Sequence, residues 1–229
     1  TKDSYNTAEL TFMRGLDCSE YYCLTPGNVG DHWQTTGCGN NLRCDNPIVR
    51  KLILDSLEYW IAEMGVDGYR FDLAPVIGRE FKDNKSGWLY NKNATTIKNI
   101  MSLGTQYDAE MIAEAWDCHG SDGYHVGNFP TGWGEWNGCF RDSLRGFVNA
   151  GNRGSVNDYI NGDYNNFNDQ GGPHKTVNFV VAHDGFTLAD LCSYGGAGNA
   201  QNGTLEWPFG PSDGGNGDNN SLGFVDWTS

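Results

Sequence analysis

Apolar residues recur at helical spacing between Asn46 and Gly65, with Val49, Leu52, Ile53, Leu57, Trp60 and Met64 on one side of the turn. Asn46 supplies an N-cap side chain. Pro47 takes the first helical position, where a missing N–H costs nothing, and Gly65 suits the C-terminal cap. The pattern then changes to alternation. From Gly65 to Ala74 the chain reads Gly-Val-Asp-Gly-Tyr-Arg-Phe-Asp-Leu-Ala, so in a strand Tyr69, Phe71 and Leu73 share one face while Gly68, Arg70 and Asp72 share the other. One face is an apolar packing surface; the other sets a guanidinium beside a carboxylate. A helix handing directly to such a strand predicts an α/β unit with parallel strands.

The rest of the chain repeats this alternation of elements. Pro75 to Lys92 reads as an extended loop, and Ala94 to Leu103 as a shorter helix ending at Gly104. Met111, Ile112 and Ala113 form a short buried run with Glu114 at its C-terminal edge. Gly123 to Gly138 is rich in Gly and Trp, with room for a short strand at its centre, and Phe140 to Ala150 fits a helix. Ser155 to Gln170 reads as a helix fragment followed by loop. Val177 to Asp184 is again an apolar run closing on charged residues, here His183 and Asp184. Residues 1 to 44 read as a long loop punctuated by glycines, and residues 195 to 229, dominated by Gly, Asn and Asp, as loop with Trp207 and Phe209 as isolated anchors.

Charge narrows the partner classes. The net charge is −14 and Lys plus Arg reach only 15 in 229 residues, so there is no basic footprint for nucleic acid or an anionic membrane. No stretch of about 18 apolar residues is present. A neutral polar partner fits better, and the eight Trp and eleven Tyr offer flat surfaces on which sugar rings stack. The seven cysteines form no Cys-x-x-Cys pair and give no zinc signature. Cys18 with Cys23, and Cys38 with Cys44, are close enough in sequence to be bridged, with free thiols the equal alternative. Sequons at Asn93, Asn202 and Asn219 leave the redox compartment open.

Three expected strand ends thus carry Asp72, Glu114 and the His183-Asp184 pair, separated by connections long enough for parallel crossovers. Barrels of parallel strands gather such ends into one pocket, and paired carboxylates across a neutral substrate are what glycosidic bond cleavage needs. One must be ionised to attack the anomeric carbon, and the other protonated to release the leaving oxygen. Arg70 favours the ionised form of Asp72; Glu114, bounded by Ala113, Ala115 and Trp116, is the better candidate for the protonated partner. The plainer reading of Arg70 and Asp72, a structural ion pair, loses ground to the two later acidic strand ends. Asp67 falls with the outward set, and His32, His119, His125 and His174 show no partner pattern.

Gly-Tyr-Arg-Phe-Asp-Leu-Ala, Ala-Glu-Ala-Trp-Asp and Val-Ala-His-Asp-Gly-Phe-Thr-Leu resemble three of the four signature regions of the α-amylase superfamily of glycoside hydrolases. More narrowly, the chain resembles the isoamylase-type debranching enzymes of glycogen and starch. The stretches Met13 to Asp17, Phe129 to Arg145 and Trp207 to Gly215 carry that narrower likeness. The resemblance implies an α/β fold, a partial (β/α)8 barrel containing about strands 4 to 7 with long loops. Residues 1–44 would form a long loop, 45–194 the barrel units and 195–229 a further loop. It also implies a retaining double displacement with Asp72 as nucleophile, Glu114 as general acid and base, and Asp184 as the carboxylate that stabilises the transition state. Arg70 and His183 would bind substrate or orient these groups.

The implied partner is a branched α-glucan, glycogen or amylopectin, cleaved at its α-1,6 linkages, with no nucleic acid and no membrane. No cofactor or catalytic metal is implied, and a structural calcium in the acidic loops is left open. Two alternatives stay beside this reading: an α-1,4-glucan hydrolase or transglycosylase of the same superfamily, and a non-catalytic glucan-binding subunit. The superfamily's remaining signature, an Asp followed by Asn-His, is absent, as is any Asn-His dipeptide. An internal piece of a longer enzyme, inactive on its own, is therefore expected. Plastid, secreted and cytosolic homes all fit.

Overall fold

Asn46 caps the first long helix as its sequence position predicts, its Oδ1 accepting the Ile48 N–H at 2.8 Å, with Pro47 opening the helix. In the computed structural model, residues 12–150, 154, 156–168 and 172–183 are described, together with the short strand pieces 194–195, 200–201 and 205–206. The chain forms two compact units, one comprising Thr1–Glu135 with Asp169–Gly171, the other Trp136–Asn168 with Gly172–Ser229.

The first unit begins with a helix, α1 (Arg14–Tyr21), and a two-stranded antiparallel ribbon of β1 (Leu24–Thr25) and β2 (Asn28–His32). Both lie inside the stretch whose glycines suggested loop alone. Helix α2 (Pro47–Ala62) follows, and Gly65 at φ +72° donates its N–H to Ile61 O, so a left-handed residue ends the helix as expected. Strand β3 (Gly68–Phe71) comes next, then a 3-10 turn over Ala74–Gly78. The expected loop up to Lys92 is instead a hairpin, β4 (Arg79–Asp83) and β5 (Gly87–Tyr90).

Helix α3 (Thr95–Tyr107) runs through Gly104 rather than stopping there. Gly104 is a packing residue: a Cβ at this position would meet Ala109 O and the Met111 side chain at 2.9 Å. The helix ends instead at Asp108, held left-handed at φ +53°. Strand β6 (Glu110–Ala113) then pairs in parallel with β3, and β7 (Gly134–Trp136) pairs in parallel with β6 through Ile112–Gly134 and Ala113–Glu135.

The core of this unit lies between the sheet and α2 and α3. Ile97, Ile100, Met111, Ala113, Phe129 and Trp133 are all essentially sealed from solvent, and Ile53, Leu54, Leu57, Tyr69 and Phe71 pack against them. Phe71 meets Trp133 at 5.1 Å between ring centres, which is the burial expected of the alternating apolar face of β3. The helical spacing on α2 was only half informative. Leu52, Trp60 and Met64 stay 40%, 48% and 53% exposed, while Leu54 and Ile61, outside the periodic set, face the core.

In the second unit Asn137 caps helix α4 (Gly138–Ala150), its Oδ1 accepting the Phe140 N–H at 2.9 Å, while its Nδ2 donates to Asp163 and Thr176. Short helices α5 (Val156–Ile160) and α6 (Tyr164–Phe167) follow. Of the strand expected over Val177 to Asp184, the described residues, which in that stretch end at His183, form only β8 (Thr176–Val177). The physical reason is visible at Val180, whose carbonyl is taken by the buried Arg145 guanidinium, with Nε at 3.0 Å, instead of by a neighbouring strand. The three parallel strands with α2 and α3 make this an α/β fold. Among the described residues no helix is long and apolar enough to cross a membrane.

Candidate active site

Asp72 and Glu114 stand side by side because β3 and β6 pair in parallel without offset. Phe71 lies opposite Ala113, and each carboxylate is the next residue along its own strand. Backbone bonding continues past the strand ends, from the Glu114 N–H to Phe71 O at 3.0 Å and from the Ala74 N–H to Glu114 O at 2.9 Å.

Arg70 joins the two. Its Nη1 pairs with Asp72, and its Nη2 lies 3.0 Å from Glu114 Oε2. The carboxylates occupy contrasting surroundings, the Asp72 side chain being 69% exposed and that of Glu114 only 4%. The buried Glu114 carboxyl is held from two sides, by Arg70 and by the Leu73 N–H, which lies 2.7 Å from Oε2. The apolar sequence neighbours of Glu114 signalled its burial and not these polar contacts. Leu73 itself is held left-handed at φ +42°, a strain on the order of 1–3 kcal/mol for a residue with a side chain. Glu114 offsets it, since its side chain takes the Leu73 N–H and its carbonyl the next one.

Asp72 and Leu73 form one side of a cleft of about 310 Å³, with Thr36, Cys38, Gly39 and Asn40 on the other, at the small end of the range for ligand pockets. The opposite wall is fixed from beneath. Buried Asn41 accepts the Thr35 N–H and donates to Thr35 Oγ1, both at 2.9 Å, and that hydroxyl donates to Asp117 Oδ2. Asp117, three residues beyond Glu114, is the hub of a buried ion network. The Arg79 guanidinium grips it with Nε at 2.8 Å and Nη2 at 2.9 Å, and reaches Asp122 with Nη1 at 2.9 Å and Trp88 O at 3.1 Å. Arg79 is 1% exposed. The loop leaving β6 is therefore bolted to the hairpin.

Aromatic side chains lie along the same loop. Trp116 stacks on Tyr124 at 6.1 Å and 12°, and His119 tilts over Trp33 at 5.6 Å. His125, which showed no partner in the sequence, is buried against Tyr90 at 4.0 Å between ring centres, with its Nε2 3.1 Å from Asp122 O. Burial pulls its pKa below the ordinary histidine value, a shift that Asp122 partly opposes. The same burial pushes the Tyr90 hydroxyl up.

Of the residues singled out in the sequence, the structure brings Arg70, Asp72 and Glu114 together. His183 belongs to the second unit, exposed, with its ring edge-on to Trp136 at 6.1 Å. Asp184 lies outside the described residues. Sequence reasoning missed Arg79, Asp122 and Glu135. Glu135, fully buried at β7, accepts the Gly127 N–H at 2.7 Å and the Phe129 N–H at 3.1 Å. The only available signal was an acidic residue in an apolar strand run. Among the described residues no group of three or more His, Cys, Asp or Glu side chains could hold a metal ion.

No protein-family model matches the chain. It is 40% identical over 226 residues to the isoamylase of Flavobacterium sp, covering 93% of this chain and 28% of that protein. It is 42% identical over 206 residues to a glycogen operon protein GlgX homolog of Haemophilus influenzae, covering 88% of this chain and 30% of that protein. The chain thus spans about three-tenths of the length of these curated relatives. Among solved structures, the pullulanase from Bacillus acidopullulyticus superposes with a TM-score of 0.53 at 25% identity, covering 74% of this chain and 21% of that one.

Proposed function

Because the chain belongs to the isoamylase-type branch of the α-amylase superfamily, we propose that the protein hydrolyses α-1,6 branch linkages of glycogen or amylopectin with retention of configuration. The observation that carries this reading is the shared guanidinium: Arg70 touches both Asp72 and Glu114. A retaining mechanism needs its two carboxyl groups about 5–5.5 Å apart, against ~6.5–9.5 Å for an inverting pair, and a guanidinium that touches both holds them near one another.

In this reading the exposed Asp72, paired with Arg70, attacks the anomeric carbon from the cleft. Glu114 serves as general acid and gives a proton to the leaving glycosidic oxygen. It then takes a proton from the water that hydrolyses the glycosyl ester. Asp184 and His183 take the family's roles of stabilising the oxocarbenium-like transition state and binding a sugar hydroxyl. The parallel strands are read as part of strands four to seven of a (β/α)8 barrel, and the Trp116–Tyr124 stack as a platform for a sugar ring.

The test uses the protein at its natural full length, incubated with amylopectin and separately with linear amylose, the released chains being sized. Linear oligosaccharides from amylopectin alone, abolished by Asp72→Asn or Glu114→Gln, are expected. Shortening of amylose would move the activity to α-1,4 bonds, and glucan binding without product from either would make the protein a binding subunit.

A further inference from the structure

The thiols pair in space quite differently from their order in the chain. The six cysteines among the described residues are all free. Cys18 Sγ lies 3.1 Å from the His32 ring. Cys23 and Cys44 are buried and act on one another, and burial pushes the Cys44 thiol up to about 12. Such thiols have almost no thiolate and little access to reagent. Cys38 and Cys118 are the two exposed thiols of this set.

They also share a neighbourhood, although 80 residues separate them in sequence. The Cys118 N–H donates to Thr35 O at 2.7 Å, which ties the segment leaving β6 to the one entering the cleft wall. A Cβ at Gly37 would stand 3.7 Å from Cys118 Sγ, so that sulfur rests against the residue next to Cys38, and the Cys38 charge is among those acting on it. Gly37 itself, at φ +74°, takes a turn that brings Cys38 round, and the Thr36 hydroxyl accepts the Cys38 N–H at 3.1 Å. Cys38 lines the cleft with Asp72; Cys118 lies four residues past Glu114 and feels its charge.

We propose that Cys38 and Cys118 are a dithiol modification site that a small-molecule disulfide of the glutathione class oxidises to an intramolecular disulfide, clamping the cleft wall to the loop that carries Glu114. The Cys38 thiolate attacks one sulfur of the reagent, forming a mixed disulfide and releasing the first reduced thiol. The Cys118 thiolate then attacks the Cys38 sulfur and releases the second. In total the protein loses two protons and two electrons, and the reagent gains them as two reduced thiols. Burial pushes the Cys118 thiol up, so this second step is the slower one and quickens with alkaline pH.

The experiment treats the native full-length protein with oxidised glutathione, alkylates the remaining thiols with iodoacetamide, and maps the peptides by mass spectrometry. The expected result is a Cys38–Cys118 cross-linked peptide that dithiothreitol dissolves and that is absent from Cys38→Ser and from Cys118→Ser. Its readout needs no turnover, so it succeeds or fails independently of the proposed hydrolysis. Recovery of Cys38 as a stable glutathione adduct with Cys118 alkylated would overturn the proposal, as would both thiols alkylated after prolonged treatment at pH 8.5. In the Cys118→Ser protein the mixed disulfide on Cys38 should accumulate instead, at least tenfold above its level in the unaltered protein.

Discussion

Arg70 and Glu114 meet across two parallel strands, Nη2 to Oε2 at 3.0 Å, although 44 residues separate them in sequence. The contact joins the exposed carboxylate, Asp72, to the buried one and makes Arg70 the common electrostatic partner of both. A lysine carries the same charge but has no planar fork with which to touch two carboxylates at once. Arg70→Lys should therefore lower kcat by roughly 10–100-fold and Arg70→Ala by roughly 10²–10³-fold, on the scale of losing an aligned electrostatic partner. Steady-state kinetics on amylopectin, with circular dichroism to confirm folding, check this.

Arg79→Ala addresses the network beneath the cleft. Asp117, whose side chain is fully buried, would lose its bidentate partner and become an uncompensated buried charge. A loss of about 3–5 kcal/mol is expected, read as a lower denaturation midpoint. Asp117→Asn in the same background should recover part of it, because the stranded charge is then removed.

How much of this was legible beforehand depended on how local each signal was. The cap at Asn46, the handover from helix to strand at Gly65 and the arrival of Asp72 and Glu114 at strand ends are properties of adjacent residues, and alternation or capping chemistry reveals them. Arg79 is a different case: its partners lie 38 and 43 residues further on, and its own neighbourhood reads as loop. The apolar run at Val177 also misled, because a side chain, Arg145, takes the Val180 carbonyl that a longer strand would have used. Gly104 showed that a glycine after an apolar periodic run can mark close packing as well as a helix end.

Gly104→Ala separates those two meanings. In an exposed helix interior the change should stabilise by about 1 kcal/mol through helix propensity. Here the new methyl would meet Ala109 O and Met111 at 2.9 Å, backbone included. Net destabilisation of about 1–3 kcal/mol is expected, measured by thermal or urea denaturation.

His125 gives a pH dependence with a definite sign. Its folded-state pKa lies below the unfolded value of about 6.5. Above that pH neither state holds the proton and the group is neutral to stability. As pH falls below about 6.5 the unfolded state binds the proton first, so stability drops until the folded pKa is reached. An NMR titration should show the His125 ring titrating below about 6.5, and His125→Gln should flatten the acid limb of the stability profile.

The most direct test of the central claim is to trap the covalent intermediate on the full-length protein. A fluorinated malto-oligosaccharyl fluoride, whose glycosyl ester forms faster than it hydrolyses, would be applied to the Glu114→Gln variant and the labelled peptide sequenced. The account predicts a glycosyl ester on Asp72, absent from an Asp72→Asn, Glu114→Gln double variant. A label on any other residue, or hydrolysis with inversion at the anomeric carbon and no ester at all, would contradict it.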